Sequence, residues 1–344
     1  MKILYAGTPE IAVAPLNALV ASEEVEVVGV LTREDAPVGR KRILSASAVA
    51  QRAEQLGIPV IKASQWSAQT AHAIASLGAD AAAVVAYGAL LPQEALKLLP
   101  HGWVNLHFSA LPAYRGAAPV QRALMAGETT IYSNTFLIEE GLDTGSVFER
   151  DSTPVGDEDT AGSILNRLAE TGGELLLRTF ARIAEGQTGT PQTGQASYAH
   201  KMSIADGRLD FNEPAERVLA TFRGVTPEPG AWCELAGNRF KIAALQRGSH
   251  ETELAPGQIQ LRGKKVYVGT GAGELQLVRL MAAPVNSAAP PAPNPPVVGR
   301  NVAEAAPLNA TGKGMSVTVA ACHSAASPPA PHHSVAVPQT PPGW

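Results

Sequence analysis

The sequence predicts an α/β fold with a parallel sheet in its first half, followed by a smaller β domain and a low-complexity tail. Strand-like and helical segments alternate up to about residue 145, turn-bounded strands follow residue 198, and proline accumulates after residue 281. Alternation of this kind favours a Rossmann-like parallel sheet with helices on both faces, in which ligands bind outside the carboxyl ends of the strands. A ligand site is therefore expected where the strands end.

The first predicted domain spans residues 1–186, and its secondary structure follows from the period of its apolar residues. The predicted strands are Lys2–Ala6, Val25–Leu31, Ala81–Ala86 and Trp103–His107. The predicted helices are Ile11–Val20, Ala46–Leu56, Ala71–Leu77, Pro119–Ala126 and Thr160–Ala184. Acidic residues precede the last of these helices, where the helix dipole favours negative charge.

A second domain is predicted over residues 198–281, after a linker at 187–197 that is rich in Gly, Thr, Gln and Pro and is expected to be exposed. Short strands after a single helix indicate a small, OB-like β-barrel. The helix is Ala215–Phe222, and the strands are Gly230–Leu235, Arg239–Ala244, Gly257–Leu261, Lys265–Gly269 and Glu274–Leu280. Residues 282–344 hold nearly half of the chain's 27 prolines and almost no charge, which predicts a disordered Pro/Ala-rich tail.

Size and composition exclude several classes of protein. With 344 residues, 45% of them hydrophobic, the chain is long enough for two cores. A net charge of −4 argues against indiscriminate coating of nucleic acid, so any RNA contact must be confined to a small basic patch. The isolated Cys233 and Cys322 suggest neither a disulfide framework nor a zinc site. Because neither a signal peptide nor an apolar run of about 18 residues is visible, we expect a cytoplasmic protein with no membrane partner.

Polar side chains with catalytic potential lie at the end of the last predicted strand and in a later loop. Along a strand side chains alternate, so Asn105 and His107 share one face. A glycine-flanked loop, Glu139–Gly145, carries Asp143. A carboxylate near a histidine raises the imidazole pKa and orients the ring, which suits acid–base catalysis. Asn105, His107 and Asp143 are therefore a candidate constellation, although a satisfied polar group at a strand end and an ordinary turn would explain them equally well.

The run Asn-x-His-x-Ser-x-Leu-Pro at residues 105–112, with Gly-Leu-Asp-Thr-Gly at 141–145, resembles the signature of the folate-dependent formyltransferases. The likeness covers about residues 1–280, and further segments resemble the branch of that family that acts on methionyl-tRNA. Those segments are Ala6–Glu10, Val85–Pro92, Arg115–Gln121, Ser197–Lys201 and Pro227–Trp232.

The resemblance implies transfer of the formyl group of 10-formyltetrahydrofolate, a co-substrate, to the amino group of initiator methionyl-tRNA, without a metal or a covalent enzyme intermediate. Asn105 would bind the formyl oxygen as negative charge develops on it, and His107 would stabilise that oxygen or carry a proton. Asp143 would hold His107 and relay the proton of the attacking amine to the leaving folate nitrogen. We expect the enzyme to be a monomer.

Binding residues are also implied by the resemblance. The expected folate-binding residues are Tyr87, Gly88, Ala89, Leu90, Ser109, Ala110, Leu111 and Pro112. The expected tRNA-binding residues are Arg40, Lys41 and Arg42, three adjacent cations in a loop that suits phosphate contacts. Considered without the resemblance, the same loop is an ordinary solvated surface turn.

The chain departs from the family pattern at several positions. Ala110 replaces a leucine of the signature, Ala46 or Ala48 stands where a proline is expected, and only Gly312–Met315 faintly matches the usual carboxyl-terminal segment. Formyl transfer to a small amine, or hydrolysis of formyl-folate, remains an alternative that needs neither the basic loop nor the second domain. A tRNA-binding module without catalysis is a further alternative, which the intact constellation disfavours. A dehydrogenase is disfavoured because Gly7–Glu10 lacks the G-x-G-x-x-G fingerprint.

Overall fold

The computed structural model describes residues 1–39, 41–235, 237–249 and 251–282, together with the backbone of a strand at 317–318. Arg40 and the segment Gly312–Met315 lie outside the described residues. So does the predicted disordered tail at 282–344, apart from Ala282 and that strand.

Within residues 1–186, the range predicted for the first domain, the described part of the chain forms ten strands and six α-helices. Its strands are β1 (Lys2–Gly7), β2 (Glu26–Thr32), β3 (Ala36–Val38), β4 (Ile43–Ser45), β5 (Val60–Lys62), β6 (Ala81–Val85), β7 (Trp103–His107), β8 (Arg115–Gly116), β9 (Thr130–Leu137) and β10 (Val147–Pro154). Its helices are α1 (Val13–Ala21), α2 (Ala48–Gln55), α3 (Ala68–Ser76), α4 (Gln93–Leu96), α5 (Pro119–Ala126) and α6 (Ala161–Ala184). Each helix predicted in this domain is present, with ends that differ by up to three residues.

The main sheet has seven strands in the order β10-β9-β7-β6-β1-β2-β5. The five strands from β7 to β5 are parallel, which confirms the α/β class, whereas β9 and β10 add an antiparallel edge. This edge was not predicted. Strand β10 is largely polar and exposed, with the sequence VFERDSTP, so it lacks the apolar alternation by which a half-buried strand is recognised.

Helix α6 packs on one face of this sheet, and a second buried cluster that includes Ile74 of α3 and Trp103 of β7 covers the other face. A Cβ atom on Gly172 of α6 would lie 2.5 Å from Leu106 Cδ2, so Leu106 of β7 points at this helix. Asn105 and His107 alternate with Leu106 and therefore point to the opposite face. Helix α6 begins with a capping box in which Thr160 and Ser163 exchange side-chain to backbone hydrogen bonds.

The second domain has a separate hydrophobic core formed by one helix and an antiparallel sheet. Its elements are β11 (Tyr198–Ala199), α7 (Ala215–Gly224), β12 (Ala231–Leu235), β13 (Asn238–Arg247), β14 (Gln258–Arg262), β15 (Lys265–Gly269), β16 (Glu274–Ala282) and β17 (Val317–Thr318). The sheet order is β12-β13-β16-β15-β14-β17. The five predicted strands are thus present, and they pair as antiparallel neighbours.

The two domains contact each other mainly through α5 and α7. The helices approach closely at Gly224, where an added Cβ would lie 2.5 Å from Met125 Cγ. Nearby, Arg122 forms an ion pair of 2.7 Å with Asp206, and this guanidinium lowers the pKa of Asp206 to about 2. None of the helices that the structure describes has the length and hydropathy needed to cross a membrane.

Candidate active site

The candidate site lies at the carboxyl ends of β6 and β7, on the face of the sheet opposite α6. Asn105 is half-buried and His107 is buried. Both lie in the last three residues of β7, before the chain leaves the sheet. The loop that follows β9 returns over this region and brings Asp143 towards His107. The structure thus places the three predicted catalytic residues in one region.

The ring of His107 makes two contacts that hold it in place. Its Nε2 lies 3.2 Å from the carbonyl oxygen of Tyr114, and its ring meets Phe136 edge to face with centroids 6.1 Å apart. Burial lowers the pKa of His107 below its usual value, while the Asp143 carboxylate and the Tyr114 carbonyl act in the opposite direction. The carboxylate acts in the expected direction, but the net pKa is lowered because desolvation of the imidazolium outweighs it.

Asp143 is half-buried, and its carboxylate is bound to the backbone rather than to the histidine. The N–H of Gly116 donates a hydrogen bond of 2.7 Å to Asp143 Oδ2. Between His107 and Asp143 the described side chains form no direct hydrogen bond, so their interaction is electrostatic in this structure. Asp143 also has φ = 51°, in the left-handed region that residues other than glycine rarely adopt.

Strained backbone is concentrated around this site. Four described residues other than glycine have positive φ, and three of them, Ala86, Tyr114 and Asp143, lie in the loops that surround His107. Conformations of this kind persist only where the surrounding structure holds them, and they are frequent in active sites. The unusual backbone is an independent reason to regard this region as functional.

The segment expected to bind the folate after β6 combines a buried residue with exposed ones. Tyr87 is buried and its hydroxyl donates to the Ala63 carbonyl, so its ring faces the core rather than a ligand. Gly88 has φ = 78° and the side chain of Leu90 is 91% exposed. Contact with a ligand here would therefore come from the Gly88 backbone and from Leu90.

The second folate-binding segment, residues 109–112, is a turn fixed by hydrogen bonds. The carbonyl oxygens of Ser109 and Leu111 accept hydrogen bonds from Asn134 and Arg150, and that of Ala110 accepts from the N–H of Ala113. Arg150 in turn donates to Asn134 Oδ1 at 2.8 Å. The carbonyl of Pro112 accepts from Ser197. Hydrogen bonds therefore fix the backbone of this turn, which follows His107 in the chain.

The basic loop forms a small antiparallel hairpin of β3 and β4, away from the main sheet. Lys41 and Arg42 are exposed at its tip, and Arg40 lies outside the part of the chain that the structure describes. The strands also expose Val38, Ile43 and Leu44. The hairpin thus combines exposed apolar side chains with adjacent cations.

Sequence reasoning missed the contribution of the predicted linker. Gln192 lies in it, yet its side chain contacts the Asp143 loop and Arg115. The short strand β11, which directly follows the linker, pairs in parallel with β8. A Gly/Thr/Gln/Pro-rich segment has no periodicity, so its sequence provided no signal of these contacts.

Metal ligands do not converge in this site. Within the part of the chain that the structure describes, no group of three or more His, Cys, Asp or Glu side chains has a geometry that could hold a metal ion.

Comparison with known families identifies the class of protein to which this chain belongs. Residues 1–180 match the formyl transferase family, and residues 201–287 match the formyl transferase carboxyl-terminal domain. The chain therefore belongs to the formyl transferase family.

Among its curated relatives are methionyl-tRNA formyltransferases. That of Arthrobacter sp. (strain FB24) is 51% identical over 281 residues, which cover 81% of this chain and 92% of the relative. That of Streptomyces coelicolor is 47% identical over 285 residues, which cover 82% and 92%, respectively.

Solved structures share the fold at low sequence identity. An N-formyltransferase from Helicobacter canadensis, in complex with folinic acid and dTDP-3-aminofucose, has a TM-score of 0.61 and 18% identity, covering 80% of this chain and 98% of its own. HypX from Aquifex aeolicus, in complex with tetrahydrofolic acid, has a TM-score of 0.57 and 18% identity, covering 81% of this chain and 43% of its own. These similarities establish the fold of the chain.

Proposed function

We propose that this chain transfers the formyl group of 10-formyltetrahydrofolate to the amino group of initiator methionyl-tRNA. One observation carries the proposal: a chain 51% identical to a methionyl-tRNA formyltransferase has Asn105, His107 and Asp143 together beside the strand ends. A cytoplasmic location and a monomeric state are part of the same proposal, and light scattering after size exclusion tests the second.

The proposed reaction needs one bond to form, one to break and one proton to move. The amine nitrogen attacks the formyl carbon, the bond from that carbon to the folate nitrogen N10 breaks, and a proton passes from the amine to N10. Asn105 is proposed to donate a hydrogen bond to the formyl oxygen, because stabilising the developing oxyanion lowers the barrier. Asp143 is proposed to relay the proton through His107 or a water molecule.

Two roles are proposed for His107, proton transfer and oxyanion binding. Its contacts favour proton transfer. A carbonyl oxygen only accepts hydrogen bonds, so the Nε2 that faces Tyr114 carries the proton of the neutral ring. Because the pKa of His107 is lowered, the ring is neutral near pH 7, and its Nδ1 can accept a proton but cannot donate one. This tautomer supports a proton carrier.

Two surfaces are proposed to bind the substrates. The folate is assigned to the Gly88–Leu90 backbone and the fixed turn Ser109–Pro112, which flank His107. The hairpin tip with Lys41 and Arg42 is assigned to phosphates of the tRNA acceptor stem, since clustered exposed cations on an otherwise acidic chain suit phosphate.

A formylation assay tests the proposal. The purified chain is incubated with 10-formyltetrahydrofolate and initiator tRNA charged with radiolabelled methionine, and the amino acid released from the tRNA is analysed for its formyl group. Free methionine, glycinamide ribonucleotide and water serve as competing acceptors in parallel reactions. We expect N-formylmethionine from the tRNA reaction at a far higher rate than any other product. Preferential formylation of glycinamide ribonucleotide, or release of formate alone, would overturn the assignment.

A further inference from the structure

Residues 187–199, which comprise the predicted linker and β11, are held against the catalytic domain along their length. Thr190 forms an antiparallel bridge with Val147, and Ser197 accepts a hydrogen bond of 2.9 Å from the Tyr114 N–H through its hydroxyl. The Ala199 carbonyl accepts from the N–H groups of Ala117 and Ala118. The segment therefore has a defined position beside the loops that hold His107 and Asp143.

Gln192 makes the contacts from this segment that are closest to the proposed chemistry. Its Nε2 donates to the carbonyl oxygens of Asp143 at 2.8 Å and of Gly145 at 2.9 Å. Its Oε1 accepts from Arg115 Nη2 at 2.6 Å. The amide thus uses both of its N–H donors on a single loop and its oxygen on the guanidinium.

We propose that Gln192 is a positioning residue for formyl transfer, which acts by holding the loop of Asp143 in the conformation that presents its carboxylate to His107. This inference rests on the function proposed above. Gln192 would not touch either substrate; its effect passes through Asp143.

The backbone of Asp143 explains why such a clamp is needed. With φ = 51° this residue occupies a conformation that aspartate adopts rarely, so the loop relaxes unless other contacts hold it. Gly145 lies close to the Leu137 backbone, since an added Cβ would lie 1.7 Å from the Leu137 carbonyl oxygen, so no larger residue fits here. The Gln192 amide bridges these two residues and so spans the constrained turn.

The pairing with Arg115 explains why the residue is glutamine. A guanidinium only donates hydrogen bonds, so it fixes the amide oxygen towards itself and turns both N–H groups towards the loop. A glutamate here would keep the contact with Arg115 but would place a carboxylate oxygen against two carbonyl oxygens. A methionine would fill similar volume with no hydrogen bonds.

The experiment compares Gln192→Met and Gln192→Glu with a matched control, Gln195→Met, which changes an exposed glutamine of the same segment. We expect Gln192→Met to lower kcat by about 10-fold to 100-fold, the size of effect produced by a displaced catalytic group. KM for the folate and for methionyl-tRNA should stay within about twofold of the parent, because neither binding surface is changed. Gln192→Glu should lose at least as much turnover, and Gln195→Met should behave as the parent.

A double-mutant cycle tests whether Gln192 acts through Asp143. In an Asp143→Asn background, Gln192→Met should lower kcat by less than about twofold further, because the group it positions is already lost. Full additivity of the two losses would overturn the proposal, as would parental kcat in Gln192→Met.

A purely structural role makes a different set of predictions. If Gln192 only tethers the two domains, Gln192→Met should lower the melting temperature and raise KM for tRNA while kcat is preserved, and that result would also overturn the proposal. The proposed function fails separately, when the parent chain forms no N-formylmethionyl-tRNA in the formylation assay. Parental turnover in Asp143→Asn would instead remove Asp143, and with it the positioning role of Gln192, from the mechanism.

Discussion

At position 107, a buried imidazole is subject to two opposing influences on its pKa. Loss of hydration favours the neutral ring, whereas the Asp143 carboxylate and the Tyr114 carbonyl favour the charged one. Burial dominates, so His107 is neutral near pH 7 and becomes protonated only below its ordinary titration range. A neutral ring can take up a proton from an amine, which a permanently charged one cannot.

Removal of the carboxylate should therefore lower the pKa of His107 further. In Asp143→Asn the negative charge that stabilises the imidazolium is absent, while burial of the ring is unchanged. The measurement is an NMR titration of histidine-labelled protein, with the His107 signal assigned by its loss in His107→Gln. A pKa that stays constant or rises in Asp143→Asn would show that Asp143 does not act electrostatically on this ring.

Turnover should depend on each member of the constellation. We expect Asn105→Ala, His107→Ala and Asp143→Ala each to lower kcat by at least ~100-fold, as is typical for loss of an oxyanion donor or a positioned proton carrier. Folate affinity, measured by fluorescence titration, should change far less. His101→Ala is the control, since His101 precedes β7 at its other end and is exposed. Wild-type turnover in any of the three variants would remove that residue from the mechanism.

At the scale of elements, the hairpin of β3 and β4 stands apart from the sheet with exposed apolar strands and a basic tip. This arrangement suits a loop that inserts against nucleic acid, with cations on phosphates and apolar groups against sugars and bases. It is assigned to the tRNA by charge and exposure, and its role remains a prediction.

Replacing Arg40, Lys41 and Arg42 together with alanine should raise KM for methionyl-tRNA and flatten its dependence on salt. Each lost phosphate contact reduces the slope of log affinity against log salt by about 0.7 to 0.9, because one counterion fewer is released. Initial rates at several salt concentrations measure this slope, and folate KM is the internal control. An unchanged slope would assign tRNA binding to another surface and favour a small amine acceptor.

Helices α1 and α6 cross at a contact that requires glycine. A Cβ on Gly173 would lie 2.3 Å from Ala18 Cβ, closer than real contacts permit. Gly173→Ala should therefore destabilise the protein by about 1–3 kcal/mol, although the same change in an open helix is stabilising. Adding Ala18→Gly should recover part of the loss, measured by denaturant unfolding. Additive losses in the double variant would show that this contact is not the cause.

At the scale of the whole molecule, the two domains meet at the α5–α7 contact and along the segment 187–199, which comprises the predicted linker and β11. This segment runs directly past Asp143, because β11 pairs with β8 and Gly116 of β8 donates to the Asp143 carboxylate. The segment between the two domains therefore contacts the loops that hold Asp143.

Truncation tests how far the folded molecule extends. Deletion of residues 283–344 should leave the main thermal transition and kcat close to those of the full chain, because that segment has too few large apolar residues to form a core. The described contact that this deletion removes is the pairing of β17 with β14. Loss of the main transition on calorimetry would show that the segment stabilises the second domain.

Local patterns in the sequence determined much of the fold. The strands β1, β2, β6 and β7, the helices other than α4 and the five strands of the second domain follow from apolar periodicity, which is a property of neighbouring residues. The shared face of Asn105 and His107 follows from strand alternation in the same way. Asp143 was selected by its glycine-flanked motif, and the roles of all three residues remain predictions.

Only the tertiary structure decided the features that depend on residues distant in the chain. The polar edge strand β10 exists because β9 pairs with it, and the net direction of the His107 pKa depends on how deeply the folded chain buries the ring. Gln192 meets the loop of Asp143 across 49 residues, and no local pattern marks that contact. Periodicity records which side of an element is apolar, whereas packing determines which distant segment lies against it.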